Sequence, residues 1–449
     1  MKMKLVIILA AIFICNVTIS AQKNLTLEES KQLALKNNAQ TKNSGLEIEA
    51  SRQIQKAAFT TYFPVVSSLG FALRAKDNLV EMKTAGGNLP VYDGNPANLF
   101  TATNFAYMPP STIGMLEKLN LGTFSITQPV FAGGRIINGN KLAGLGADVS
   151  TKQNKLAQND VLYKTEEQYW LVVSLESKMK TVVKYETMLE NLLARVEDGY
   201  KSGLVTKNDV LKVKLKKNEV LLNKSKLDNG KKLALMAFCQ YVGIPYDSTL
   251  VLKDTLPAAV VPESFFVDNK DALSRRAEYS LLQSSVEAEK LQTQIKLGEY
   301  LPQVGIGVSG AYFKLDKTDS RTVSMAFASV QIPISGWWEA SYKLSERSIR
   351  EQIAENNFKD KSELLLLQMQ KSWQDLTDAY KQYQLNVLSK EQSEENLKVN
   401  EDSYKNGISN LSDLLEAQAM YQQTDDQLTD AKKDYKLKTV NYLIVTGRF

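Results

Sequence analysis

Histidine is absent from this 449-residue chain. That removes the side chain that most often serves as a general base or transition-metal ligand near neutral pH. Cysteine is nearly absent: the two present are Cys15 and Cys239, and Cys15 falls in a leader-like segment. One cysteine in the mature chain excludes an internal disulfide and a cysteine-based metal cluster. Long apolar runs are missing too. The run Leu5 to Cys15, behind Lys2 and Lys4, is about 11 residues, too short for a bilayer span and suited to a secretory signal cut after Ala21. Beyond it no stretch is long and apolar enough for a transmembrane helix, so any membrane entry has to be made by strands. A charge excess of one sign is also lacking. With 55 basic and 50 acidic residues the net charge is +5, which points away from nucleic acid.

Proline is scarce in an informative way. The 11 prolines leave two spans, 130–244 and 334–449, with none. Interior proline costs a helix about 3 kcal/mol, so both spans are free to be very long helices. The pattern predicts a helix over 135–202, roughly 100 Å long at about 1.5 Å per residue, a tight turn at Gly203, and a second helix over 207–242. An earlier helix opens at Thr26 and Glu29, which have capping-box spacing. It pauses at Asn37 and Asn38 and runs to about Thr61.

Between the helices the hydrophobic period changes to two. Val65, Leu69, Phe71 and Leu73 alternate with Ser68, Gly70 and Ala72, which predicts a strand over 65–74. Residues 75–118 read as a long loop, and Leu119 to Gln128 as a second strand stopped by Pro129. Val304, Ile306, Val308 and Tyr312 mark a third strand, and Ser324 to Ile332 a fourth.

The chain then proves to be written twice. Ala34, Ala39, Glu49, Tyr62 and Pro64 recur 238 residues later at Ala272, Ala277, Glu287, Tyr300 and Pro302. Pro129, Tyr200, Gly203, Asp209 and Gly243 recur 204 residues later at Pro333, Tyr404, Gly407, Asp413 and Gly447. Two constant offsets with one break indicate an internal duplication whose first β-hairpin has the longer loop. The division is a signal segment at 1–21, a first repeat at 22–243 with β-hairpin 65–128, a connecting segment at 244–264, and a second repeat at 265–449 with β-hairpin 303–333. In the long helices, Leu366, Met369, Trp373, Leu376, Tyr380, Tyr383 and Val387 step by three and four. So do Leu414, Ala417, Tyr421, Thr424, Leu428, Ala431 and Tyr435, which is coiled-coil spacing. Two shorter helices stacked end to end would match the length of one long helix in each repeat.

Four strands of about ten residues suit tilted membrane-spanning strands, with an apolar outer face and a small, polar inner face. Four cannot close a barrel, because open edges in lipid leave backbone groups unpaired. Three copies would supply twelve. Trp337 and Trp338, just after the fourth strand, fit an interfacial aromatic belt and equally the start of a helix.

Together these features resemble the TolC family of outer-membrane efflux proteins. The resemblance rests on Leu27 to Asn38, the Tyr-x-Pro at 62–64 and 300–302, Gln128 to Gly134, and the Tyr-x-x-Gly turns with their following Asp-x-Leu. It spans essentially the whole mature chain. It implies an α+β membrane protein: a homotrimer with a twelve-stranded outer-membrane barrel and a periplasmic tunnel of antiparallel helices. It further implies a periplasmic adaptor and an inner-membrane efflux pump or ABC transporter as partners, and no enzymatic activity or cofactor. By the same resemblance Asp413 and Glu416, three residues apart on one helix face, line the pore constriction. Tyr404 and Asp209 match gate contacts, Gly203 and Gly407 the hairpin turns. The family has a basic residue two positions after the second glycine, where this chain has Ser409.

Other readings were weighed. A periplasmic coiled-coil adaptor or scaffold without a pore would also carry helical hairpins, but the four alternating strands argue against it. Gly305 to Gly310 match a dinucleotide fingerprint, which needs a helix directly after it; here Ala311, Tyr312 and Phe313 continue the strand. Nine lysines against three acids between 207 and 232 lack interleaved aromatics and read as a solvated or adaptor-facing surface.

Overall fold

The structure is a computed structural model that describes residues 24–315 and 319–449. The signal segment at 1–21 lies outside the described residues. In chain order the elements are β1 (Asn24–Leu25), α1 (Leu27–Asn37), α2 (Ala39–Phe59), β2 (Val65–Arg74), β3 (Val80–Thr84), β4 (Gly87–Pro90), β5 (Phe105–Met108), β6 (Ser111–Met115) and β7 (Lys118–Ala132). They continue with α3 (Arg135–Lys201), α4 (Lys207–Val242), β8 (Val251–Leu252), α5 (Asn269–Leu273), α6 (Ala277–Glu299), β9 (Gln303–Leu315), β10 (Arg321–Gln331), α7 (Trp337–Lys405) and α8 (Leu411–Val445). The chain divides into two compact units.

The described residues of the first unit are 24–52, Gly146–Val286 and Ile353–Phe449. Its α1 begins as the sequence predicts: Thr26 and Glu29 form a reciprocal capping box, and Asp254 Oδ2 takes a further orphan amide, Leu27 N–H, at 2.7 Å. The same carboxylate accepts from the buried Tyr169 hydroxyl at 2.8 Å. β1 pairs in parallel with β8, Leu25 opposite Leu252. Both residues join Tyr169, Phe238, Cys239 and Val242 in an apolar core.

The pause at Asn37 and Asn38 is a docking point. Asn38 Nδ2 donates to Tyr241 O at 2.9 Å and Asn37 Nδ2 to Gly243 O at 3.3 Å, so the end of α4 abuts the break between α1 and α2. Gly243 has φ +74°, and a Cβ there would lie 2.6 Å from Asn37 Cβ. Glycine is therefore required for its backbone angle and for its lack of bulk. The second repeat builds the same joint: Gly447, φ +69°, lies against Arg275, and Arg448 Nη2 donates to Phe265 O at 2.6 Å. The two sequence offsets converge here on one structural feature.

The helical seams follow the expected stepping with a partial shift. On α7 the buried positions are Leu365, Met369, Ser372, Leu376, Ala379, Ser393 and Leu397, so Met369 and Leu376 point inward while Trp373 and Tyr380 flank them. On α8, Leu414, Ala417, Tyr421 and Tyr435 are buried as the spacing predicts. The lysine-rich α4 is less solvated than its composition suggests. Lys214, Lys217 and Lys224 pair with Glu197, Glu190 and Glu186 of α3 at 2.8, 3.0 and 2.5 Å, a flanking charge ladder of the kind that sets pairing in coiled coils.

The second unit, Gln53–Leu145 and Glu287–Gln352, carries an antiparallel four-stranded sheet in the order β10-β9-β7-β2. Three expectations change there. The stretch 75–118 is not a plain loop, since β3 pairs with β6 and β4 with β5. Pro129 does not end its strand: β7 continues to Ala132 with a register irregularity between Pro129 and Phe131, and a bulge is where a residue without an N–H is tolerated. The third change concerns the faces. Phe71 sits opposite Leu121, which sits opposite Phe313, whereas Ile126 sits opposite Val308. Because partners share a face and parity alternates, Val65, Leu69 and Phe71 lie on the side opposite Ile306, Val308 and Tyr312. At some positions a large side chain lies beside a small one, as at Phe124 opposite Gly310. Phe327 covers Gly307, where a Cβ would meet the ring at 2.6 Å. Each face is therefore mixed.

Trp337 and Trp338 open α7. Trp337 Nε1 donates to Tyr300 O at 2.8 Å, while the Trp338 side chain is exposed.

Candidate functional site

The sequence-singled residues of the helical hairpins gather at two turns in the first unit. At the first, Gly203 N–H reaches Tyr200 O at 3.0 Å and Leu204 N–H reaches Gly199 O at 2.8 Å. At the second, Gly407 N–H reaches Tyr404 O at 3.1 Å and Ile408 N–H reaches Ser403 O at 2.8 Å. Both are Schellman closures, which satisfy the last helical carbonyls and place glycine in the left-handed region; here φ is +73° and +69°. The two tips are then held together by shared apolar packing. Leu192, Val196, Val210 and Val213 of the first hairpin are buried against Leu411, Leu414 and Ala417 of the second. Lys212 Nζ adds a polar bridge to Ser412 Oγ at 3.1 Å, a link that the sequence reading missed.

The two tips differ in what their aspartates do. Thr206 caps α4, and Asp209 closes a full capping box: its Oδ2 accepts from Thr206 N–H at 3.1 Å and from the Thr206 hydroxyl at 2.7 Å. Asp209 is thereby committed to its own helix start. Tyr404 lies close enough that burial and the Asp209 charge together raise its phenol above the ordinary range. No hydrogen bond joins Tyr404 and Asp209 among the described residues. The expected gate pair is thus a proximity, and the aspartate's hydrogen bonds go elsewhere.

At the second tip Asn410 occupies the capping position and accepts from Asp413 N–H at 3.0 Å. An asparagine carboxamide caps one amide and offers no hydroxyl to the carboxylate three residues on. Asp413 is left exposed, as is Glu416 on the same face of α8, opposite the buried Leu411, Leu414 and Ala417. Among the described residues neither carboxylate has an ion pair or a side-chain hydrogen bond. Ser409, standing where the family carries a basic residue, has its Oγ buried without a partner.

Above the tips a polar network ties α3, α7 and α8. Asp425 pairs with Lys390 at 2.8 Å and accepts from Thr181 Oγ1 at 2.5 Å. Lys390 Nζ lies 3.6 Å from the centre of the Tyr421 ring, whose hydroxyl accepts from Lys184 at 3.0 Å. Beside it, burial pushes the Asp426 carboxyl up to about 6, the charges of Asp425 and Asp430 adding and Lys178 opposing. Its Oδ1 is buried with no hydrogen-bond partner. The signal for this network was in the sequence: Asp425 and Asp426 occupy the positions of Leu221 and Leu222 in the first hairpin.

No group of metal-ligating side chains occurs among the described residues, and no described helix is long and apolar enough to cross a membrane. The glycines at 305–310 lie within β9, which runs on to Leu315, so no helix N-terminus receives a pyrophosphate there.

Residues 270–442 match the family model described as outer membrane efflux protein. The match covers less than half of the chain; it takes in α7, most of α8 and the Tyr404 to Glu416 tip, while the Gly203 tip lies outside it. The whole chain shares its fold with solved outer-membrane channels. It aligns with the outer membrane protein VceC from Vibrio cholerae at 13% identity and a TM-score of 0.72, covering 94% of this chain and 96% of that one. The Campylobacter jejuni CmeC outer membrane channel aligns at 13% identity and 0.72, over 94% and 85% of the two chains. The open state of the Neisseria gonorrhoeae MtrE outer membrane channel aligns at 13% and 0.70, over 94% and 89%. Among curated proteins no sequence matches. The matched family is described as outer membrane efflux protein, and CmeC and MtrE as outer membrane channels.

Proposed function

We propose that the protein is the outer-membrane conduit of a tripartite efflux or type I secretion system, exporting small molecules or proteins passively through a trimeric pore. The observation that carries this reading is the open sheet. β2 and β10 are its edge strands, and Val65, Leu69, Met325 and Val330 on them are all exposed. Lipid tolerates no unpaired edge, because each unsatisfied backbone group costs several kcal/mol there. Further copies have to pair with both edges, and three copies close a twelve-stranded barrel.

The helical hairpins form the periplasmic passage, and their tips meet the periplasmic adaptor and the inner-membrane pump or ABC transporter. Asp413 and Glu416 from three protomers ring the constriction, and Trp337 and Trp338 sit at the lipid interface. The leader at 1–21 directs export and is removed. The pore-free scaffold has no observation in its favour.

Membrane fractionation of cells expressing the full chain tests the reading. A heat-modifiable trimer band in the outer-membrane fraction is expected; a soluble monomer would contradict it.

A further inference from the structure

A cavity of about 540 Å3 lies within the first unit between α3, the segment 251–256 and α8. That volume is in the range of small-molecule pockets. Its lining includes three lysines from three separate parts of the chain: Lys180 of α3, Lys253 beside β8, and Lys432 of α8. Among the described residues none of these three side chains has an ion pair or a hydrogen bond.

The acids around the cavity are already engaged. Asp254 Oδ2 accepts from Leu27 N–H at 2.7 Å and from the Tyr169 hydroxyl at 2.8 Å. Glu176 faces Lys231 at 3.9 Å. Glu29, whose charge Lys253 feels, is bound to Thr26 in the capping box. The lining therefore carries three lysines against two acids, and one of those acids, Glu176, is shared with Lys231. Ser177 and Thr429 add hydroxyls, and Val173 and Leu252 an apolar floor.

We propose that this cavity is a binding site for a small polyanion carrying two or more phosphate or carboxylate groups. Lysine is a compact charge with three rotatable donors, suited to oxyanions that arrive with varied geometry. Three such charges on a cavity with an apolar floor favour a ligand that spreads its negative charge over more than one group. The site is separate from the hairpin tips and stands whether or not the protein conducts.

Calorimetric titration of detergent-purified full-length protein with inorganic pyrophosphate, and in a parallel arm with citrate, tests the proposal. Saturable binding at low salt is expected, weakening as salt rises because exposed charges are screened within about 10 Å at 0.1 M. The triple variant Lys180→Gln, Lys253→Gln, Lys432→Gln should bind at least tenfold more weakly. Lys→Arg at the same three positions should stay within about threefold of the parent, and matching trimer bands for both variants control for folding. The tighter probe identifies phosphate or carboxylate as the preferred group. No saturable binding of either probe, or undiminished binding by the Gln variant, would overturn the site.

Discussion

The two hairpin tips share a glycine turn, a preceding tyrosine and an aspartate six residues on, yet one side chain sends the aspartates in different directions. Thr206 holds Asp209 in a reciprocal box, while Asn410 caps only the amide of Asp413. The first tip spends its carboxylate on stability; the second leaves its carboxylate facing outward with Glu416. Duplication supplied two similar tips, and the capping residue engages one aspartate and leaves the other exposed.

The largest effects should come from what the tips share. Gly203→Ala and Gly407→Ala each force a side chain into the left-handed region and should each cost about 1–2 kcal/mol, measured by denaturant unfolding of the purified protein. Unequal losses would show that the turns are not equivalent. Next come the caps. Thr206→Ala should cost about 1 kcal/mol and Asn410→Ala somewhat less, because only the first also releases a boxed carboxylate.

The comparison extends up the hairpins to Asp426, which replaces Leu222 of the first repeat. Burial raises its carboxyl to about 6 in the folded protein, above the usual value of about 3.9 in an unfolded chain. The native state therefore holds the proton to higher pH, and stability falls as pH rises from about 4 through 6. Asp426→Asn should gain on the order of 1 kcal/mol at pH 7, discounted because the residue is only half-buried, and nothing near pH 4. An equal gain at both pH values would break the assignment. The smallest stability change, within about 0.5 kcal/mol, belongs to Asn410→Thr. That variant rebuilds the first tip's box on the second, and it should draw Asp413 inward and lower cation preference.

The long helices, the strands of the sheet, the first capping box and the duplication were legible in the sequence because periodicity, proline and glycine mark them locally. The short pairings at 80–115 were not, since strands of four or five residues carry too little alternation to be seen. Pro129 was misjudged because proline tolerance depends on the partner strand's register, which no local pattern contains. The mixed sheet faces have the same origin: each strand's alternation was read correctly, but only pairing decides which side it joins. At the candidate site, the shared exposed face of Asp413 and Glu416 follows from their three-residue spacing on α8. Thr206 and Asp209 stand at the same capping-box spacing as Thr26 and Glu29, so the engagement of Asp209 by its own helix start is legible in the sequence. Lys180, Lys253 and Lys432 carry no motif and meet only through folding.

Single-channel recording in planar bilayers of Asp413→Ala combined with Glu416→Ala, beside Asp209→Asn, tests the asymmetry of the tips most directly. The double variant should lose cation selectivity and divalent-ion block while Asp209→Asn leaves both near the parent's values. Unchanged selectivity in the double variant, or an equal loss in Asp209→Asn, would contradict the assignment of the ring to the second tip alone.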